Sequence, residues 1–332
     1  MFFESFPTLP VPALRRRALG HLLRMGHCAP SVMQTLLDAS DAESTWLVIL
    51  TAGLPGGIGN TGGECGGLTA PLVLMGLRNG RQNVVRGLPV VVDQGHDLRG
   101  RLTAACGSTS CRAIRGDARL PLPCIGVVRR APELCAESLA VTGAEGIPPA
   151  AREAFRELYA HWVEREFHCA DAVFEHLGPT IPAPPELRDA VTAFLGGTLF
   201  TGQTCSALTA GVMALGLSVG RIEDSRLRVL RMIATMAVGG EAFTDDMNAF
   251  NRVMNLGHEL ARWFAGQFGS TQCRAITRCD FATPEGARDY IARDGVSSCS
   301  AMARRVASHV VEMLAAEPPR SPPAPPVSPA PG

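Results

Sequence analysis

An excess of charge of either sign is missing from this chain. Lys+Arg and Asp+Glu both number 31 among 332 residues, so no excess charge points to nucleic acid or to an acidic membrane surface as a partner. The basic residues are overwhelmingly Arg, and only Arg15, Arg16 and Arg17 form a short run, which reads as one face or end of a helix. Long apolar runs are missing too: none is long enough to span a bilayer. The opening MFFESFPTLPVPALRRRALG has no long apolar core after a positive end and does not read as a secretory signal. The expected compartment is therefore the reducing cytoplasm. There is no CxxC, which removes zinc-ribbon and thioredoxin-type motifs, and no CxxCH, which removes covalently attached haem. GGIGNTGG lacks βαβ surroundings and carries no nucleotide claim. No nucleophile–base pair stands out to name an enzymatic reaction.

What the chain does have is cysteine, 11 in all, and a repeat. GSTSCRAI at 107–114 returns as GSTQCRAI at 269–276, and TGGECGGLTA at 61–70 returns as TGQTCSALTA at 201–210. His27-Cys28-Ala29 returns as His168-Cys169-Ala170, Gly95-His96 as Gly257-His258, and Cys124 with Arg129-Arg130 as Cys299 with Arg304-Arg305. The order is kept throughout, so the chain is a tandem duplication with a longer insert between Leu217 and Gly257. The first unit covers 1–147 and the second 148–315, joined at the Gly- and Pro-rich GAEGIPPA. The remainder, 316–332, is Pro-rich and reads as a disordered tail.

With 46% hydrophobic residues the composition is that of a globular protein. Phe155, Leu158, Trp162 and Val163 fall at helical spacing in the segment from 151 to 178, and CSALTAGVMALGL and DDMNAFNRVMNLGHELARWFAGQF also fit helices. The stripe of Phe250, Val253 and Met254 reads as core. Runs of β-branched residues are few, Val90 to Val92 being the best. The expected fold is all-α: two tandem homologous helical bundles with Gly-rich loops, GLPGGIGNTGG and FLGGTLFTGQ, ahead of the second cysteine of each unit.

The duplication sorts the cysteines. Four pairs are kept in both copies: Cys28 with Cys169, Cys65 with Cys205, Cys111 with Cys273, and Cys124 with Cys299. Cys106 stands opposite Phe268 and Cys135 opposite Val310, so both read as small hydrophobes. Cys279 stands opposite Gly116 across a one-residue insertion and reads as a loop residue. Four thiols can close a site for zinc or for an iron–sulfur cluster, or can make two dithiol pairs, and the spacing does not choose. Cys65 and Cys205 are the candidates for reactivity, because a thiol opening a helix after a glycine-rich loop meets free N–H groups and the positive end of the helix dipole. The paired histidines read equally well as ligands or as ordinary surface or core residues. The Arg pairs read as solvated helix faces, and the GST segments as capped helix starts.

These four cysteines, with the Gly-rich loop before Cys-small-small-Leu-Thr-Ala and with GSxxCR, resemble the C_GCAxxG_C_C family of redox-active proteins. The resemblance covers nearly all of both units. It implies that the signature cysteines are Cys28, Cys65, Cys111 and Cys124 in the first unit, and Cys169, Cys205, Cys273 and Cys299 in the second. The loops depart from the signature: Glu64 or Thr204 stands where it has Gly, and Gly66 or Ser206 where it has Ala. Three readings follow. The protein transfers electrons through metal or iron–sulfur centres, exchanging them with a redox partner protein. Alternatively it is a metal-free thiol–disulfide relay, or a zinc-stabilised or simply packed scaffold that binds a partner. The duplication allows an internal pseudo-dimer or a homo-oligomer.

Overall fold

The computed structural model describes residues 6, 9–80, 87–118, 122–141, 146–222, 225–238 and 251–317. Among them the regular structure is helical, apart from two isolated antiparallel bridges, Glu64 with Ser110 and Thr204 with Gln272. The first unit contains α1 (Val11–Met25), α2 (Cys28–Asp38), α3 (Thr45–Leu50), α4 (Gly66–Asn79), α5 (Gly87–Cys106), α6 (Cys111–Arg115) and α7 (Leu122–Leu139). The second contains α8 (Pro149–Glu164), α9 (Cys169–Leu177), α10 (Leu187–Ala190), α11 (Ser206–Val219), α12 (Arg226–Val238), α13 (Arg252–Phe268), α14 (Cys273–Thr277), α15 (Pro284–Ala292) and α16 (Gly295–Ala315). The first series recurs in the second with α12 and α15 added, and α12 lies in the insert after Leu217. The fold is all-α, as the sequence leads one to expect.

Burial explains the layering. Residues 66–76 of α4 and 206–216 of α11 are all buried, so these helices have no solvent face and form the two centres. The helices around them are amphipathic: α13 buries Val253, Leu256, Leu260, Ala261 and Phe264 on one stripe. The units trade elements across their contact. A Cβ on Gly76 of α4 would lie 2.3 Å from the Asp189 carbonyl oxygen of α10, and one on Gly216 of α11 would lie 2.6 Å from the Ile49 oxygen of α3. Glycine is needed there because backbone meets backbone. The Gly-rich loops cross as well: Gly59 rests on the Gly257 backbone of α13, and Leu199 rests on Gly95 of α5.

Two sequence readings need correction, and a third is met in part. The helical pattern from 151 to 178 is broken between α8 and α9, where Glu166 turns left-handed with φ 47°. Val163 is turned outward and 45% exposed. In the stripe near 250, Val253 is buried and Met254 half-buried, while Phe250 lies outside the described residues. The Pro-rich tail from 318 also lies outside them. No described helix is long and apolar enough to cross a membrane.

Candidate functional site

The paired cysteines sit at or close to helix starts. Cys28, Cys111, Cys169 and Cys273 are the first residues of α2, α6, α9 and α14. Cys65 and Cys205 cap α4 and α11, Cys124 is third in α7, and Cys299 is fifth in α16. Within each unit every one of the four thiols lies close enough to the other three for their charges to interact. Each quartet therefore gathers the N-terminal ends of four helices, where unsatisfied N–H groups and aligned dipoles favour negative charge.

Local structure fixes this convergence. The short bridge is a clamp: Cys65 N–H donates to the Thr109 carbonyl at 2.8 Å and Cys111 N–H to that of Gly63 at 2.7 Å. The second unit repeats it with Cys205 to Thr271 at 2.8 Å and Cys273 to Gln203 at 2.7 Å. The second and third cysteines are thus neighbours by backbone pairing. The preceding loops contain five successive left-handed residues, 56–60 and 196–200. Gly62 and Gly63 donate back to Gly56 and Gly57, and Gly202 and Gln203 to Gly196 and Gly197. A left-handed residue other than glycine costs roughly 1–2 kcal/mol. In the second loop Thr198, Leu199 and Phe200 all bear that strain, and Phe200 is fully buried against Phe155, 4.9 Å between ring centroids. The loops also bring N–H groups to sulfur. Cys28 accepts from Ala29 and Gly56, Cys169 from Gly196, Cys65 from Gly67, and Cys205 from Ala207 and Leu208.

The electrostatics bear on one expectation. Cys65 and Cys205 do open helices, but burial opposes thiolate more strongly than the N–H groups favour it. Burial, and then the neighbouring Cys28, hold the Cys65 thiol well above its usual range. Burial and Cys299 push Cys205 up to about 12. Cys28 keeps some surface in solvent, yet the protein packed around its sulfur pushes it up to about 12. These are protonated thiols at neutral pH, poor attacking groups until a cation or a proton acceptor reaches them. All 11 cysteines are free thiols.

The other candidates fall into place. His168 caps α9 with its ring and bonds the Thr192 carbonyl at 3.1 Å, and His96 bonds the Leu199 carbonyl at 2.9 Å, whereas His258 is exposed. Arg129, Arg130, Arg304 and Arg305 are solvated, as read. Cys135 is fully buried, and Cys106 is half-buried against the core. The helix cap at α6 is Ser110, one residue after the GST segment, and Gln272 provides none for α14. Ser108 and Ser270 instead hold the N–H groups of Ser110 and Gln272, both at 3.0 Å.

A protein-family model described as "Putative redox-active protein (C_GCAxxG_C_C)" matches residues 26–138 and, again, residues 167–313. The chain belongs to this family. Two consecutive matches are the duplication, and each contains one quartet: Cys28 to Cys124 in the first and Cys169 to Cys299 in the second. No curated protein and no solved structure matches the chain.

Beyond the family's four cysteines, the units are not equal. Cys279 lies in a loop as expected, but it is only 1% exposed, accepts from the Arg293 guanidinium at 2.9 Å, and interacts with Cys273 and Cys299. Tyr290, on the added α15, is 2% exposed and lies beside Cys299, Cys169 and Cys273, and its hydroxyl has no nitrogen or oxygen partner among the described residues. The first unit has Arg115 beside Cys111 and Cys124. Comparing the copies hides all three, because it retains only what both share. The signal was the spacing of the third and fourth cysteines, 13 residues from Cys111 to Cys124 but 26 from Cys273 to Cys299, which leaves room for an element that the first copy lacks.

Proposed function

We propose that the protein is an electron carrier in which each cysteine quartet holds a metal centre, an iron–sulfur cluster rather than a lone zinc ion. The observation that carries this is the gathering of four thiols onto four helix starts, repeated in both units. Buried thiols lose their protons only where something offsets the cost of a buried charge. The helix ends and N–H···S contacts offset part of it, and a bound cation offsets the rest. Four thiol donors with backbone donors on their sulfurs fit an anionic metal–thiolate group. Among the described residues no group of three or more His, Cys, Asp or Glu side chains is drawn close enough to hold a metal ion, so the four sulfurs would have to close around either centre as it binds.

In this reading Cys28, Cys65, Cys111 and Cys124 hold one centre and Cys169, Cys205, Cys273 and Cys299 the other. A bound cluster supplies one-electron transfer at a potential set by hydrogen bonds to sulfur and by solvent access. The chain's own part is to position the sulfurs, donate N–H groups to them and keep water out. Tyr290 adds an O–H group beside the second quartet alone, so the two centres would differ in potential. The test is a pair of variants, Cys65→Ser and Cys205→Ser, purified without oxygen. Each is expected to lose about half the iron and sulfide of the parent protein while keeping its helical spectrum. Full metal content in both variants would refute the assignment.

A further inference from the structure

Beside the first quartet the surface opens into a cavity of about 420 Å³. Its lining includes Asn60, Thr61, Cys111, Arg112, Arg115 and Asp117. Hydrogen-bond donors are in surplus there. Arg112 gives one nitrogen to the Thr61 carbonyl at 3.0 Å and forms no ion pair among the described residues. Arg115 is exposed, lies near Cys111 and Cys124, and forms no ion pair among the described residues. Asp117, at the exposed rim, is the one carboxylate in the lining, so two guanidinium groups face a single negative charge.

The second unit has dismantled the same arrangement. Thr277 holds the last place of α14, as Arg115 does in α6, and turns its hydroxyl to the Cys273 carbonyl at 2.9 Å, while Arg278, which the insertion sets opposite Arg115 in the sequence, lies one residue beyond the helix. Arg274, the counterpart of Arg112, is paired with Asp280 at 3.0 Å. Cys273 is only 6% exposed, whereas Cys111 keeps part of its surface open. The two copies share a fold and a cysteine quartet, yet at this place the first has a partly open thiol beside two guanidinium groups, and the second a buried thiol beside a paired one.

We infer that this cavity binds a small molecule bearing a carboxylate or a phosphate, held by Arg115 and Arg112 with its body against Cys111. A planar guanidinium meets either group through paired N–H···O bonds, and the volume suits a metabolite rather than a macromolecule. The inference goes beyond the redox reading and does not depend on any metal being bound.

The test is equilibrium dialysis of the full-length protein against labelled inorganic phosphate and, separately, labelled succinate. One saturable site per chain is expected for at least one probe, and which of them binds tells phosphate from carboxylate. Arg115→Gln is expected to weaken that binding about tenfold or more, the worth of one charge-assisted pair, and Arg115→Lys to recover part of it. Arg274→Gln, at the matching place in the second unit, is expected to leave binding unchanged. Thermal melting should be the same for Arg115→Gln and the parent, since an exposed side chain without a partner carries little stability. Saturable binding of neither probe, or equal binding by Arg115→Gln and the parent, would overturn the inference whatever the metal content proves to be.

Discussion

Cys65 and Cys135 are both buried thiols on helical elements, and what separates them is company. Cys65 interacts with three other thiols and accepts an N–H group, whereas Cys135 has only the distant charge of Arg78 to relieve its burial. Cys135→Ala is accordingly expected to leave metal content unchanged and to lower stability by about 1 kcal/mol, read from a denaturation midpoint. The thiols of the quartets also set a pH limit. Unfolded thiols ionise near 9.0, whereas Cys28 and Cys205 are pushed up to about 12 in the fold. Their folded values are raised, so the stability they carry is whole below pH 9 and is lost as pH rises toward 12. Urea midpoints of the reduced, chelated protein should fall across that window. With metal bound the thiols are already deprotonated, so the loss should move to acid pH, where protons compete with the metal. A midpoint flat from pH 9 to 12 in the chelated protein would count against buried, protonated thiols.

Loops and short helices place those residues, and here backbone conformation decides. Gly59 has φ 63°, and a Cβ on it would lie 2.5 Å from the Gly257 carbonyl oxygen. Gly59→Ala combines left-handed strain with a clash against backbone and is expected to cost about 2–4 kcal/mol. Gly107 has φ 79° but nothing within 4 Å of its would-be Cβ. Gly107→Ala should therefore cost only about 1 kcal/mol, and equal losses in the two variants would show that the loop crossing carries no energy. The elements also show what could be read from the sequence. The cysteine landmarks and the central helices α4 and α11 were legible because the repeat preserves them and because buried helices are apolar throughout. The left-handed turn was half legible: Gly56, Gly57 and Gly59 announce it in the first loop and Gly196 and Gly197 in the second, but Thr198, Leu199 and Phe200 announce nothing. Neither copy alone indicates that its loop packs on the other unit, since the partners are 198 positions away for Gly59 and 104 for Leu199 (257 − 59 and 199 − 95). Cys279 and Tyr290 were illegible for a different reason, neither having a like residue in the other copy, and Arg115 was masked by Arg278, which the insertion sets opposite it although Thr277 takes its place in the helix.

At the scale of the whole molecule the two units form one interlocked body, and polar groups mark the seam. Glu64 is 3% exposed and accepts from the Thr204 N–H at 3.2 Å, joining the residues that precede Cys65 and Cys205. Burial raises its pKa, and Thr204 and the charge of Arg99 oppose the rise. In the second unit Thr204 and Ala261 take the places of Glu64 and Arg99, so the charged pair is used once, on one side of the seam. His96 crosses it too, and burial, with a smaller push from Arg99, lowers its pKa from 6.5 to about 4. A lowered folded value means the stability is present above pH 6.5 and is lost as pH falls toward 4. Unfolding midpoints should drop through that range, and His96→Gln should flatten the drop. If the variant and the parent lose stability in parallel, the seam is not where the acid acts. The central claim concerns the quartets, and metal and acid-labile sulfide analysis of the full-length protein purified without oxygen tests it most directly. The account expects iron and sulfide in amounts matching two centres per chain, with visible absorption that bleaches on reduction. A folded, colourless protein free of iron and sulfide would contradict it.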